Sequence, residues 1–194
     1  CGGSDTLSNA AAEKGLNLAE IETRLTELQN SKAENPEEYW VNATYPEIID
    51  HILVRYHQRH REQLQELIVL ADRVESVHGD REDCPIGVAA ELRNVYEDLS
   101  NHMMKEEHVL FPMIKAGNYM MAQMPIRMME MEHSEHGEHL EVLKSLTNNM
   151  TPPADACNTW RALYSGIQEF ADDLMMHIHR ENNILFPLVI AENH

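Results

Sequence analysis

Apolar residues recur at helical spacing along four long stretches of the chain, and short segments rich in glycine, proline or polar residues separate these stretches. Thr44 is followed by Pro46 and Glu47, which is the pattern of a capped helix start with an acidic first turn. The first helix is therefore predicted to run from about Pro46 to Val77.

Three further helices follow it. The segment 79–85 interrupts the first helix with glycine and proline, and Gly117 is placed to end the second. A Thr-Pro-Pro loop at 151–153 precedes the fourth helix, and Pro187, which has no amide hydrogen to donate, should end it. The second helix is predicted to end at Lys115. The third should run from near Pro125 to about Leu146, and the fourth from Ala154 or Asp155 to about Phe186. Four long helices with short loops predict an up-down-up-down bundle.

The residues that precede the first bundle helix form a separate part of the chain. Segment 7–30 carries apolar residues at roughly helical spacing, and segment 31–38 is polar. We interpret residues 1–45 as a short helical appendage with a linker, and residues 46–194 as the bundle domain.

Composition agrees with an all-α protein. The 194 residues include only 8 Gly and 8 Pro, and aromatic residues make up 6%. A formal charge of −18 argues against binding to nucleic acid or to an anionic membrane surface. Three cysteines, widely spaced and without a CxxC motif, indicate neither a disulfide framework nor a thiolate zinc site. We therefore expect a cytoplasmic protein.

The most informative feature is an internal repeat. Segments 102–112 and 177–187 both read HxxxExxxLFP, and segments 57–64 and 133–140 both read HxxHxExL. The first two helices therefore resemble a copy of the last two. In such a two-fold repeat, the repeated polar residues are expected to meet at the centre of the bundle.

The repeated residues have the chemistry of metal ligands. His102 and Glu106 lie four residues apart and share one helix face, as do the equivalent residues of the second copy. Each half supplies two imidazoles and one carboxylate, the donor set that non-haem iron favours. The predicted ligands are His57, His102 and Glu106 from the first half, and His133, His177 and Glu181 from the second. Two such sets facing each other would let both glutamates bridge a pair of metal ions.

Three other histidines are less suited to ligation. His60 and His136 also repeat, but their faces lie some 60° away from those of the predicted ligands, so we expect them outside the first coordination shell or on the surface. His78 lies about 30 Å further along a continuous helix than His57. The methionines between Met103 and Met131 are interpreted as adaptable packing residues.

Two other kinds of metal protein remain as alternatives. A ferritin-like carboxylate site would use ExxH pairs, which occur at Glu75/His78 and Glu130/His133, but on the wrong pair of helices. A structural zinc bundle would use the same imidazole and carboxylate donors as iron.

The paired HxxxE motifs, each with a further histidine on the preceding helix, resemble the hemerythrin-like domain from residue 46 to the carboxyl terminus. Segments 48–57, 100–107 and 147–153 are similar more narrowly to the bacterial Repair of Iron Centres family. In that family an amino-terminal domain carries a Cys-Cys-Gly-Gly element. Cys1-Gly2-Gly3 resembles its second half, so we expect residues 1–45 to include the remnant of that domain, and the chain to be a fragment or a processed product.

The resemblance implies a stress-response protein that repairs iron-sulfur clusters damaged by nitric oxide or oxidants, by supplying iron. It further implies two oxo- and carboxylate-bridged iron ions held by the six predicted ligands, and iron-sulfur proteins as clients. We also expect the small gases NO and O2 as ligands, and a homodimer. Nitric oxide reduction at the di-iron site is an alternative, as is a hemerythrin-like protein that senses oxygen or NO, so the sequence leaves open whether the protein is an enzyme.

Overall fold

The computed structural model describes residues 36–192 together with residues 7, 11, 14–21 and 23–24. The chain forms two compact units, Cys1–Ala43 and Thr44–His194. In the first unit, helix α1 spans Pro36–Asn42, so the predicted linker contains the start of a helix. Residues 18–21 of the predicted appendage are helical, and the rest of segment 7–30 lies largely outside the described residues.

Four long helices make up the second unit. Helix α2 covers 45–78, with α-helix at Tyr45–Ile52 and Gln58–His78. Helix α3 covers 88–115, with α-helix at Val88–Lys105 and Phe111–Lys115. Helix α4 is Tyr119–Leu146. Helix α5 covers 158–191, with α-helix at Asn158–Arg180 and Phe186–Ala191.

The four helices form a closed ring of neighbours. Helix α2 packs against α3 and α5, and α4 packs against α3 and α5. Short loops connect consecutive helices, so each helix runs antiparallel to the one before it. The predicted all-α, up-down-up-down bundle is confirmed.

Helices α2, α3 and α5 each contain one π turn, in which backbone hydrogen bonds reach five residues back. These turns are Leu53–His57, Glu106–Leu110 and Glu181–Leu185. In α3 and α5 the last bond of the turn joins the amide of a phenylalanine to the carbonyl of a glutamate, and a proline follows directly. Single π turns inside α-helices frequently mark functional sites.

The predicted start of the third helix was wrong. Helix α4 begins at Tyr119, so Pro125 lies inside it. A proline there removes one backbone hydrogen bond, and its ring crowds the carbonyl four residues earlier, so the turn before it needs other support. The turn before it is held by the fully buried Ala122 and by the ring contact between Tyr119 and Tyr45, whose centroids are 5.4 Å apart.

Both predicted ends of the fourth helix were also wrong. It begins later, at Asn158, because Arg161 donates hydrogen bonds to the carbonyls of Ala154 and Ala156 and so stabilises a non-helical approach. It continues to Ala191 past Pro187, because the π turn changes the hydrogen-bond register just before the proline. In the other copy, helix α3 likewise passes its proline and ends at Lys115, as predicted.

The apolar core fills the space between the four helices on one side of the repeated polar residues, the side where α3 and α5 begin. Its largest fully buried side chains include Trp160 and Phe170 from α5, and it includes Leu64 from α2 and Leu92 and Leu99 from α3. Within the part of the chain that the structure describes, none of the helices combines the length and apolar character needed to cross a bilayer.

Leu99 lies in the core, one turn of α3 before His102, and its substitution tests the assigned core. It is fully buried, so Leu99→Ala should lower the free energy of unfolding by about 2–5 kcal/mol through lost burial and a residual cavity. Val77→Ala is the matched control, because Val77 is 63% exposed and its loss should cost less than about 0.5 kcal/mol. Urea unfolding followed by circular dichroism measures both; equal effects would contradict the assigned core.

Candidate metal centre

Four imidazoles and two carboxylates meet inside the bundle. Helix α2 contributes one histidine, α4 contributes one, and α3 and α5 each contribute a histidine and a glutamate one turn further on. All six side chains are at most 2% exposed. They are the six predicted residues, His57, His102, Glu106, His133, His177 and Glu181.

These residues form two overlapping groups of metal-ligand atoms. One group is His57, Glu106, His177 and Glu181, and the other is His102, Glu106, His133 and Glu181. Within each group the ligand atoms lie within 4.8 Å of one another. Glu106 and Glu181 belong to both groups, which is the position that a bridging carboxylate requires.

The grouping expected from the repeat was wrong in one respect. Each half was expected to supply one complete set, with His57 beside His102. Instead the imidazoles pair across the halves: Nε2 of His57 lies 3.2 Å from Nε2 of His177, and Nε2 of His133 lies 3.1 Å from Nε2 of His102. The reason is that α2 packs closely against α5, and α3 against α4, at the level of the centre.

The HxxxE spacing works as predicted. Nε2 of His102 lies 3.4 Å from Oε1 of Glu106, and Nε2 of His177 lies 3.3 Å from Oε1 of Glu181. Both glutamates are the first residue of a π turn. Histidine and glutamate of each copy therefore reach the same place on the inner face of the bundle.

Three of the four imidazoles are oriented by an outer partner. Nδ1 of His57 lies 2.8 Å from Oε1 of Glu107, and Nδ1 of His102 lies 2.9 Å from Oε2 of Glu132. Nδ1 of His133 lies 2.8 Å from Oδ1 of Asn182. These oxygens only accept hydrogen bonds, so each Nδ1 carries the proton and each Nε2 presents a lone pair to the centre.

The outer carboxylates are held in the charged form. The hydrogen bond from His57, followed by that from Arg61, lowers the pKa of Glu107 to about 2. The hydrogen bonds from His102 and Lys105 lower the pKa of Glu132 to about 2 in the same way. Two anionic acceptors therefore support the imidazoles from outside, which increases their basicity toward a metal ion.

His177 differs from the other three imidazoles. Its Nδ1 is buried and has no hydrogen-bond partner among the described residues. Its ring is held by packing instead, since it stacks on Tyr56 at 5.3 Å and 9°. Burial lowers the pKa of His177 to about 4, so its ring is neutral at pH 7 and can act as a ligand.

The arrangement fits a bound cation. Nε2 of His102 and Nε2 of His133 direct lone pairs at each other across 3.1 Å, and all four carboxylate oxygens of Glu106 and Glu181 are buried without a hydrogen bond of good geometry. Burial and the neighbouring Glu181 carboxylate raise the pKa of Glu106 well above its usual value. Buried charges and unpaired polar atoms are costly unless a metal or a counter-charge compensates them. The residues therefore fit a pair of divalent or trivalent metal ions.

Phenylalanines cover the centre on one side. The ring of Phe111 stacks on His57 with centroids 5.7 Å apart, and the ring of Phe186 stacks on His133 at 6.0 Å. Both rings are at most 2% exposed. The phenylalanine of each LFP motif is therefore buried against an imidazole of the centre.

His60 and His136 lie beside the centre and not on the surface. His60 is fully buried and His136 is 4% exposed. Their rings contact His177 and His102, with centroids 5.3 and 4.8 Å apart. Burial lowers the pKa of His60 well below its usual value and that of His136 to about 2, so both rings are neutral. Neither belongs to a ligand group among the described residues.

The outer partners were missed from the sequence. Glu107 and Asn182 each follow a bridging glutamate, and Glu132 directly precedes His133. In an acidic chain these positions look like ordinary solvated helix residues. Glu107 and Asn182 occupy equivalent positions in the two copies of the repeat, directly after a predicted ligand, and this equivalence could have identified them.

The ferritin-like alternative does not match the structure. Oε1 of Glu75 accepts hydrogen bonds from the backbone amides of Gly87 and Ala89, at 3.1 and 2.8 Å, at the start of α3. His78 contacts Cys157 instead, with Nε2 and Sγ 3.3 Å apart. Glu130 is exposed. The ExxH pairs therefore do not form a common metal site.

Comparison with known protein families gives one match, to the hemerythrin HHE cation-binding domain over residues 48–189. A "Probable iron-sulfur cluster repair protein" of Haemophilus influenzae is 68% identical over 99% of this chain and 86% of its own length. The iron-sulfur cluster repair proteins YtfE of Musicola paradisiaca and of Escherichia coli O8 are each 56% identical, over 96% and 98% of this chain and 83% and 86% of their own lengths.

The outer carboxylate of His57 can be tested with a metal probe. Glu107→Leu removes the acceptor that orients the ring, so the affinity for Co2+ should fall roughly 10- to 100-fold. Glu62→Leu is the matched control, because Glu62 is exposed on the helix of His57. Among the described residues it accepts a hydrogen bond from Gln58 and has no hydrogen bond with His57. Competition with a chromophoric chelator measures both affinities. Unchanged binding by the Glu107 variant would contradict its orienting role.

Proposed function

This chain belongs to the hemerythrin HHE cation-binding family, and we propose that its centre holds two iron ions and serves the repair of damaged iron-sulfur clusters. The observation that supports this most directly is the pair of buried ligand groups sharing Glu106 and Glu181. One iron would be held by His57 and His177, and the other by His102 and His133, with both glutamates as bridges. The repair role is taken from the names of the relatives.

The donor set supports iron over zinc. Structural zinc sites are closed and tetrahedral, commonly with thiolate ligands, whereas non-haem iron is held by imidazoles and carboxylates with positions left open. Each group here offers two imidazoles and two carboxylates that are shared between two ions. When bound, such an iron pair supplies open coordination positions and one-electron chemistry.

The protein's own residues fit a role as iron donor to cluster-containing clients. Only the two imidazoles in each group would be unshared ligands, because Glu106 and Glu181 belong to both groups and would bind both ions. Among the described residues, Nδ1 of His177 also lacks an outer partner, so on that side its ring is held by stacking on Tyr56. A site with few unshared ligands, one of them less firmly oriented, should release iron more readily than a fully coordinated one.

Free thiols at Cys84 and Cys157 suit a reducing cytoplasm, where we place the protein.

Reduction of nitric oxide is the second candidate function. The observation in its favour is that the two ligand groups are adjacent and share both carboxylates, so two small molecules could bind side by side. Consumption of NO by the reduced protein, measured with an NO electrode over many turnovers without loss of iron, would support this function. Consumption limited to the iron present would reject it.

Metal content of variants tests the shared carboxylates. We expect Glu106→Ala to lose both irons, because both groups need this residue, and His57→Ala to keep the ion of the other group. His108→Ala is the control, since His108 is exposed on the helix of His102. Iron per chain is measured by plasma emission spectrometry. Equal iron loss in the His57 and Glu106 variants would contradict the bridging assignment.

Iron transfer tests the repair role. The reduced, iron-loaded protein should restore the cluster of an apo-ferredoxin supplied with sulfide and thiol, whereas the iron-depleted protein should not. Cluster formation is followed by circular dichroism in the visible region. A chelator added in excess distinguishes direct transfer from release into solution. If the protein keeps its iron in the presence of the apo-client, donation is excluded as the mechanism.

A further inference from the structure

Two buried imidazoles lie next to the metal ligands without taking part in ligation. His60 and His136 follow His57 and His133 by three residues in the two copies of the repeat. Nε2 of each is buried and has no hydrogen-bond partner among the described residues. An unpaired polar atom in the core is costly, so these two nitrogens indicate a binding partner that is not a protein group.

Both rings lie on the side of the ligand layer opposite the bridging carboxylates. The ring of His60 contacts Phe170 and His177, at 5.5 and 5.3 Å, and so lies toward the start of α5. Glu181 follows His177 toward the end of α5. His136 contacts His102, and its pocket reaches Asp98 and Asn101, toward the start of α3. The imidazole layer is therefore flanked by carboxylates on one side and by His60 and His136 on the other.

The protonation of His60 is fixed by its neighbours. Nε2 of Gln63 donates to Oδ2 of Asp173 at 3.0 Å, and Arg55 donates to the other oxygen of that carboxylate at 2.5 Å. The amide oxygen of Gln63 therefore faces Nδ1 of His60, at 3.4 Å. Because this oxygen can only accept, Nδ1 of His60 carries the proton and Nε2 presents a lone pair.

In the described residues of the other half, no amide oxygen faces the ring of His136. Three residues after His136 stands His139, whose Nδ1 and Nε2 lie 2.6 Å from Glu91 and 3.0 Å from Asp98. No side chain equivalent to Gln63 contacts the ring of His136 in the described structure. The two sides of the centre are therefore chemically different despite the repeat.

We propose that the small molecule bound at the open position of the His57–His177 group donates a hydrogen bond to Nε2 of His60. The pocket then selects ligands that carry a proton, such as water or hydroxide, over bare anions, whose lone pairs would face that of His60. Gln63, Asp173 and Arg55 are positioning residues, because they act only by keeping the proton on Nδ1. This inference rests on the proposed di-iron centre.

Azide binding to the iron-loaded, oxidised protein tests the proposal at one fixed pH. Azide must displace the protic ligand, and it has no hydrogen to offer His60. His60→Phe removes the stabilisation of the protic ligand, so the dissociation constant for azide should fall roughly three- to tenfold. Gln63→Leu should have an effect of the same sign, because the ring of His60 can then carry its proton on Nε2. Titration of the azide-to-iron charge-transfer band gives the constants, and iron per chain is measured on every sample.

His108→Phe is the control, because His108 is exposed, and it should leave the dissociation constant for azide unchanged. His136→Phe is the comparison at the equivalent position of the other half, and we expect it to lower the constant less than His60→Phe does, since no amide of the described residues fixes its proton. Unchanged or weaker azide binding by the His60 and Gln63 variants, at full iron content, would overturn the proposal and leave the di-iron centre intact. Equal effects at His60 and His136 would overturn the assignment to the His57–His177 side. A wild-type protein without iron would overturn this inference and the proposed function together.

Discussion

The structure depends on one electrostatic constraint: the Nε2 atoms of four imidazoles converge with two carboxylates in a buried space, and the described residues supply no hydrogen bond to the carboxylate oxygens. The outer acceptors Glu107, Glu132 and Asn182 accept a hydrogen bond from Nδ1–H of three rings and thereby direct Nε2 of these rings inward. Cations bound between these groups would convert this repulsion into attraction. Their binding free energy would then contribute to folding.

The rest of the bundle can be understood as support for that centre. The repeat places equivalent ligands on α3 and α5, and their π turns begin at the two glutamates. The phenylalanines of the LFP motifs cover the imidazoles on the carboxylate side, and His60 and His136 line the other side. Below them lies an apolar core that contains Leu99 and Phe170. A rigid scaffold of this kind holds the predicted ligands in fixed positions.

Much of this could be predicted from the sequence, because the ligands repeat at helical spacing and charged residues seldom repeat inside a core without a function. The all-α bundle and the inward position of the six predicted ligands follow from that pattern. The pairing of His57 with His177 could not be predicted, since a repeat shows which residues are equivalent but not which helices lie closest. The π turns have no signature of their own, so Pro187 was expected to end a helix that continues past it. Pro125 was expected to begin a helix, but the turn before it is held by the buried Ala122 and by the contact between Tyr119 and Tyr45, which lie far apart in sequence.

The central claim is that two metal ions, and specifically two irons, occupy the shared ligand groups. Its most direct test is the iron content of the purified wild-type protein, expressed with iron supplementation, together with its Mössbauer spectrum. The account predicts two irons per chain in two similar sites, magnetically coupled through their bridges. Zinc in place of iron, a single iron, or two uncoupled irons would contradict it.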